Sequence, residues 1–384
     1  MRSLALAVLA LCVGGTQAAG FALYEHSASA LGNAFAGQAV AARDASTLFA
    51  NPAGLTEVTG RQVVAGLHLI APSAQFSDAG GAASGGDAGS LAAVPSFYYA
   101  MDLNRDFKLG LGLFAPFGLK TEYDSGWAGS EVAILSDMRT VNLNPTLAWR
   151  VNDRLALGLG LDYQFIEATL SKEPFGVPTT MQGDDTAWGY NLGLLYRVDE
   201  ATRVGLSYRS RLDYRLTGTV RGLLNGDIYA DVTLPDMASL AVQHRLDERW
   251  SLLADATWTG WGVFDRLDAY LASGAGPIDH TDESWQDAWR FGLGFDYRHN
   301  DTWTWRFGVA YDQTPIPDAG HRTPRVPDAD RVSVAAGGQY ASSKRTRVDF
   351  GYMHIFFRDV PISTPAGRYA SHADVLGVQL SHNY

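Results

Sequence analysis

From Gly60 to the end of the chain, apolar residues alternate with small or polar ones at a period of two. Leu155, Leu157, Leu159, Leu161, Tyr163 and Phe165 share one parity, and Ala156, Gly158, Gly160, Asp162 and Gln164 share the other. Trp289, Phe291, Leu293, Phe295 and Tyr297 stand in the same way against Arg290, Gly292, Gly294, Asp296 and Arg298. Trp303, Trp305, Phe307, Val309 and Tyr311 repeat the pattern against Thr304, Arg306, Gly308, Ala310 and Asp312. Successive side chains of a strand face opposite sides, so every such segment has one greasy and one small or polar face. A soluble sandwich and a membrane barrel both satisfy that pattern, and the connections separate them.

Short polar connections fall at Asn104-Arg105, Asn152-Asp153, Asp199-Glu200, Asp247-Glu248, His299-Asn300 and Ser342-Ser343. Between them lie longer Gly-, Pro- and Asp-rich stretches near residues 77–90, 116–138, 172–184, 218–228, 271–284, 314–328 and 359–370. Six short turns alternating with seven long loops give fourteen strands, with both termini on the side of the turns. Outer-membrane barrels segregate loop length in this way, and a sandwich has no reason to. Closure pairs every backbone group and leaves no edge in lipid. The expected fold is therefore an all-β transmembrane protein, a fourteen-stranded antiparallel outer-membrane β-barrel over residues 60–384, with periplasmic termini. Several segments exceed the roughly 9–11 residues that cross a bilayer and should project beyond it. Trp149, Trp250, Trp289 and Trp303 stand at segment ends, where interfacial girdles form. The last segment alternates Leu376, Val378, Leu380, His382 and Tyr384, and such an aromatic end is similar to the signal read by the barrel-assembly machinery.

Arg2 followed by the apolar run Leu4–Val13 and the small-residue end Thr16-Gln17-Ala18 has the layout of a secretory signal over residues 1–18. Cleavage after Ala18 is expected, with a lipoprotein-type signal ending at Cys12 as the alternative. Cys12 is the only cysteine, so the mature chain has no thiol for disulfides, metal or nucleophilic chemistry. A net charge of −11 lacks the basic surplus expected of a nucleic-acid partner. No Ser–His pairing, phosphate loop or metal-ligand spacing is found. No catalytic residue, metal or cofactor is assigned, which leaves a lipolytic barrel enzyme as an alternative without a site.

Residues 19–59 lack strand alternation and are rich in Ala and Gly. Asp44 can cap a short helix through Leu48 and Phe49, which Asn51-Pro52 stops. Fourteen strands enclose more space than inward side chains fill. This segment is therefore expected to fold into the lumen as a plug, the alternative being a periplasmic appendage. An open general-diffusion porin is the rival that a plug argues against.

Ala-Gly-Phe at 19–21, Ser-Ala-Ser-Ala-Leu-Gly at 27–32, Asp-Ala-Ser at 44–46 and Asn-Pro-Ala at 51–53 resemble the FadL/OmpP1/TodX family of outer-membrane hydrophobic-compound transporters. Pro-Phe-Gly-Leu at 116–119, Thr-Glu-Tyr at 121–123, Trp127 and Leu-Gly-Leu-Gly-Leu at 157–161 extend the resemblance along the chain. The resemblance implies passive uptake of long-chain fatty acids or monoaromatic hydrocarbons through a barrel blocked by an N-terminal hatch. Ligand would be caught in a groove among external loops and pass to a pocket touching the hatch. It would leave sideways where the third strand kinks. Outer-membrane lipid and lipopolysaccharide would surround a monomer.

On these residues, Phe21 is the candidate hatch contact with ligand, or else a plain anchoring aromatic. Asn51 and Pro52 form a rigid turn set against a wall gap, or else a linker turn. Leu113, Phe114, Pro116, Phe117 and Leu119 form a run where alternation fails, suited to a loop groove or to interface packing. Parity in the seventh strand puts Leu206, Tyr208, Leu212, Tyr214 and Leu216 outward and Arg209, Arg211, Asp213 and Arg215 inward. Charge facing lipid costs on the order of 2–4 kcal/mol at the midplane, which supports that parity. Arg209 and Arg211 are then candidates for a ligand carboxylate, unless they only pair with Asp162, Asp255, Asp296 or Asp44.

Overall fold

The computed structural model describes residues 20–274 and 276–384. The expected signal segment and its cleavage point lie outside the described residues. Twenty hydrogen-bonded segments make one antiparallel sheet, and several are collinear pieces of one stave. Fourteen staves result. β1 is Gln62–Asp78, β2 Ala92–Asp102, and β3 Phe107–Phe114 resuming at Gly118–Glu122. β4 is Leu135–Arg150, β5 Leu155–Lys172 and β6 Thr179–Arg197. β7 joins Thr202–Arg209 to Leu212–Arg221, and β8 joins Gly226–Leu234 to Met237–Arg245. β9 joins Trp250–Thr259 to Arg266–Leu271, and β10 joins Pro277–Asp282 to Ala288–Arg298. β11 is Trp303–Asp312, β12 Arg331–Ala341, β13 joins Thr346–Phe357 to Val360–Ile362, and β14 is Gly367–Asn383. β1 pairs with β14 from Gln62↔Asn383 to Asp78↔Gly367, which closes the barrel.

The six short turns share one device. Asn104, Asn152, Asp199, Asp247, Asn300 and Ser343 each accept two backbone N–H groups, two and three residues on. These are Asx and Ser turns, the chemistry for which such residues are chosen. Accepting the N–H groups of Ala201 and Thr202 holds the Asp199 carboxyl below its usual range, and those of Arg249 and Trp250 do the same for Asp247. At the opposite end the connections are uneven. Residues 123–134 and 313–330 form long loops, whereas the expected long loops near 172–184 and 218–228 are mostly strand, reduced to 173–178 and 222–225. Those stretches read as loops because their strands rise clear of lipid and carry polar residues outward.

The wall obeys the alternation. Leu159, Leu161, Phe291, Phe307, Val309, Leu376 and Val378 are each 45–56% exposed on the outside of a protein this large. That band marks the lipid-facing surface, and Trp149, Trp250 and Trp289 are part-exposed near the ends of their segments. No helix of the described residues is long and apolar enough to cross a membrane. Pro145 interrupts β4 without a donor, and the Asn144 side-chain amide reaches the Leu161 carbonyl across the ladder at 3.0 Å.

Residues 20–58 lie inside this ring as short helices α1 (Ala28–Leu31), α2 (Gln38–Ala41) and α3 (Thr47–Ala50), followed by a 3-10 turn, Pro52–Glu57. The N-cap of α3 is Ser46 rather than Asp44, which stands two residues earlier and accepts the N–H of Ser46 at 2.9 Å, and α3 does stop before Asn51, which is extended. Inward glycines let the segment touch the wall backbone. A Cβ on Gly308 would stand 2.1 Å from the Asn33 backbone, and one on Gly158 2.3 Å from the Ala53 nitrogen. Polar ties then fix it: Asn33 donates to the carbonyls of Phe295 and Phe307, and Arg43 bonds Asp296 at 2.9 Å. Wall-to-wall pairs Arg290–Asp255 and Arg306–Asp349 fill the same layer. Paired charges of this kind are what a buried polar interior requires.

Substituting Gly308→Val should leave a closed barrel but displace the inner segment. Trypsin, which should spare Arg43 in the parent protein, should then cut there. Continued protection of Arg43 in the variant would show that this close approach does not hold the segment.

Candidate functional site

Staves β3, β7 and β8 change parity partway along. In β3, Lys108, Gly110, Gly112 and Phe114 face inward, but beyond Ala115-Pro116 the inward residues are Phe117, Leu119 and Thr121. Against β4 the four steps from Phe114 to Gly118 oppose three steps from Asn142 to Arg139, so one extra residue is present. β7 does the same: Arg209 to Thr217 spans eight steps against seven from Asn191 to Asp184. β8 follows, with Ala241 inward below Pro235-Asp236 and Leu234, Val232 and Ile228 inward above it. A one-residue slip moves a whole hydrophobic set to the other face. Below the bulges the barrel is greasy outside and polar inside, and above them the reverse.

The consequence is an apolar chamber at the loop end. Its walls include Leu119, Met138, Ile166, Met181, Leu216 and Val232, and it spans about 950 Å³ counting its mouth. That is within the roughly 300–1,000 Å³ usual for small-molecule sites. The inner segment forms its floor at Phe21, which packs edge-on against Trp261 at 4.7 Å and Phe264 at 5.4 Å and tilts toward Trp285 at 5.6 Å. Gly20 has φ +65°, and a Cβ there would strike both tryptophans. Phe21 and Leu23 also hydrogen-bond β3 at its bulge, through Gly118 N to Phe21 O at 3.0 Å and Leu23 N to Pro116 O at 2.9 Å. There the wall is incomplete: β2–β3 pairing ends at Phe97↔Leu113, and Gly118–Glu122 pairs with β4 alone.

One side of the chamber is charged. Arg325, from the 313–330 loop, and Asp279 and Glu283, from β10 and its break, line it. Arg325 donates to the Ser136 hydroxyl at 3.3 Å and stands 3.9 Å from Asp279, which Lys172 also holds at 2.6 Å. Glu283 lies beyond the Trp289 edge of the lipid band and accepts the Trp285 indole N–H at 2.9 Å. Burial pushes its carboxyl up to about 8, against the lowering effects of that bond and of Arg325.

The sequence candidates separate accordingly. Phe21, Phe117 and Leu119 meet at or beside the chamber rather than in an external loop groove. Phe114 points below it, packing on Phe49 at 5.0 Å, and Leu113 faces outward on β3. Arg209 is inward and buried, but it pairs with Asp162, donates to the Phe49 carbonyl at 2.9 Å and lies over the Phe49 ring. Arg211 is not inward. The bulge at Ser210-Arg211 leaves it exposed and turns Asp213 and Arg215 outward, where Arg215 pairs with Asp231 at 2.7 Å. Leu212, Tyr214 and Leu216 are inward instead, because at that height the outside is no longer lipid. Asn51 and Pro52 pack on Gly193 and Gly158, where β5 and β6 pair without interruption, and not against the break beside β3. Arg325 escaped sequence reading, since no local pattern shows which loop residue folds over the chamber. Among the described residues no cluster suits a metal ion.

A closed barrel with a greasy belt, an internal segment and an apolar chamber at one end defines an outer-membrane transport barrel. The family model described as outer membrane protein transport protein (OMPP1/FadL/TodX) matches residues 9–384, and the chain belongs to that family. A long-chain fatty acid transport protein of Salmonella typhi is 31% identical over 398 residues, covering 91% of each chain. The crystal structure of a Pseudomonas aeruginosa FadL homologue superposes with a TM-score of 0.89 at 24% identity, covering 95% of this chain and 100% of that one. The toluene transporter TodX of Pseudomonas putida gives 0.77 at 20% identity, covering 96% and 100%. These relatives are transporters, and the protein is an outer-membrane transporter rather than an enzyme.

Deleting Ser210 and Arg211 together should keep Arg209 inward, turn Leu212 outward and bring Asp213 and Arg215 into the chamber. Binding of a fluorescent apolar probe should weaken by about tenfold or more, roughly 1.4 kcal/mol. Arg211→Ala, which touches no inward group, should leave probe binding unchanged; equal loss in both variants would refute the inversion.

Proposed function

We propose that the protein lets long-chain fatty acids cross the outer membrane without an energy source. The observation that carries this reading is the chamber's form, an apolar sleeve with one charged side. A fatty acid has that shape. With Glu283 neutral, Lys172 and Arg325 outweigh Asp279 by one positive charge, which suits a carboxylate. On this reading the turns and termini are periplasmic and the loops external. Apolar Phe175, Val177, Leu223 and Leu224, exposed on neighbouring loop tips, are a first landing point in place of a deep groove.

Residues 20–58 act as the hatch. An apolar ligand gains nothing from an aqueous pore and is already favoured in lipid, so a sideways exit is physically sensible. The incomplete pairing between β2 and β3 supports such an exit, and Phe21–Leu23, bonded to that bulge, are placed to respond to the ligand they floor. Monoaromatic hydrocarbons are the second reading, favoured by the aromatic cluster around Phe21 and by the likeness of fold to a toluene transporter.

Arg325→Ala should weaken oleate binding by about tenfold while leaving toluene binding within about twofold. Equal effects on both ligands would remove the carboxylate reading, and toluene binding without oleate binding would favour the second. Glu283 is neutral below about 8 and gains charge above it, so anion binding should fall as pH rises through that value. A permanently ionised alkyl sulfonate removes the ligand's own titration. Its affinity should drop several-fold, on the order of 1 kcal/mol, between pH 7 and 9. Glu283→Gln should flatten the profile; a parent protein with a flat profile would contradict the assignment. Asp282 and Arg325 also act on Glu283, and the Gln variant separates its titration from theirs.

A further inference from the structure

At the turn end of the barrel, two adjacent turns gather four guanidiniums. Arg150 ends β4, Arg154 lies in the turn that follows, Arg197 ends β6 and Arg203 begins β7. They border a small cavity of about 260 Å³ shared with Glu57, the last residue of the 3-10 turn on the inner segment. Arg203 Nη1 lies 3.2 Å from the Glu57 carboxylate, Arg197 Nη2 3.7 Å and Arg150 Nη1 3.8 Å. Arg203 spends its other fork on the Ala41 carbonyl and the Gln243 side chain, and Arg150 donates to the Thr56 carbonyl. The two longer approaches are attractions between charges without a hydrogen bond, so Arg150 and Arg197 keep N–H donors in hand.

The charges do not balance. Four arginines meet Glu57 and Asp153, a surplus of two, in a chain whose net charge is −11. Like charges gathered in a half-buried pocket repel, and an anion removes that repulsion. Planar guanidinium forks fit an anion that presents two oxygens. Glu57 already shows the geometry of such an occupant from within the chain.

We propose that Arg150, Arg197 and Arg203 form an oxyanion-binding site at the turn end of the lumen, accepting a phosphate or carboxylate group with Glu57 as its built-in competitor. The site stands apart from the fatty-acid reading; only its periplasmic address rests on the orientation given above. An anion bridging Arg150 and Arg197 leaves Glu57 to Arg203 alone. Occupancy is thereby coupled to how firmly the last turn of the inner segment is held.

The test is calorimetric titration of the full-length protein in detergent with inorganic phosphate, at ionic strength fixed with sodium chloride. Saturable binding with a Kd on the order of 1 mM is expected. Arg197→Gln, at a half-exposed position, should weaken it by about tenfold, and Glu57→Gln should tighten it by roughly threefold to tenfold. Circular dichroism and gel mobility confirm that both variants are folded barrels. No saturable heat in either the parent or Glu57→Gln overturns the proposal, as does binding that Arg197→Gln leaves unchanged. Repeating the titration in nanodiscs distinguishes the sources. Phosphate excluded by phosphatidylglycerol but not phosphatidylcholine supports a lipid headgroup as the occupant, and equal binding in both supports a soluble anion. Oleate binding measured alongside fails or survives independently, since none of these residues lines the chamber.

Discussion

Everything in this molecule depends on one closed ladder. In hydrocarbon an unpaired N–H or C=O has no water to turn to, so the sheet must meet itself. It does so along β1 and β14, from Gln62↔Asn383 to Asp78↔Gly367. With the backbone satisfied, the outer face is free to be Leu, Phe, Val and Trp. The inner face must then deal with the space that fourteen staves enclose.

That space is filled by a chain segment, and the fit is made by absence. Gly158, Gly193 and Gly308 offer no Cβ, so residues 20–58 approach the wall backbone to contact distance. Arginine–aspartate pairs and Asn33 satisfy the polar groups that this burial strands. The same ladder is interrupted between β2 and the bulge of β3, and Phe21–Leu23 supplies backbone bonds there. That interruption of the wall and the start of the inner segment are thus parts of one contact.

The chamber arises from the cheapest change a strand permits. One extra residue in β3 and one in β7 exchange inside for outside, and β8 exchanges with them at Pro235-Asp236. A wall that must be greasy toward lipid becomes greasy toward the lumen once it has risen clear of the bilayer. Glu283, Asp279, Lys172 and Arg325 then close one side of an otherwise apolar space with charge.

Strand parity, stave count, the six Asx and Ser turns and the stop at Asn51-Pro52 were legible because each is a local property. Side chains alternate every residue, and a turn is capped by its own Asn, Asp or Ser. The failure of alternation at Leu113–Leu119 was visible as well, although its meaning, a bulge that feeds Phe117 and Leu119 into a chamber, was not. Arg211 shows the limit most clearly. Constant parity and the cost of charge in lipid both pointed it inward, and a single bulged residue above the lipid band reversed it. The sequence by itself determined the wall, the gathering of its short turns at one end and the presence of a segment that is not wall. Tertiary structure alone decided the height at which the wall turns inside out, the loop that brings Arg325 over the chamber and the pairing of Phe21–Leu23 with β3. Those features depend on contacts between residues far apart in the chain, and no local period encodes them.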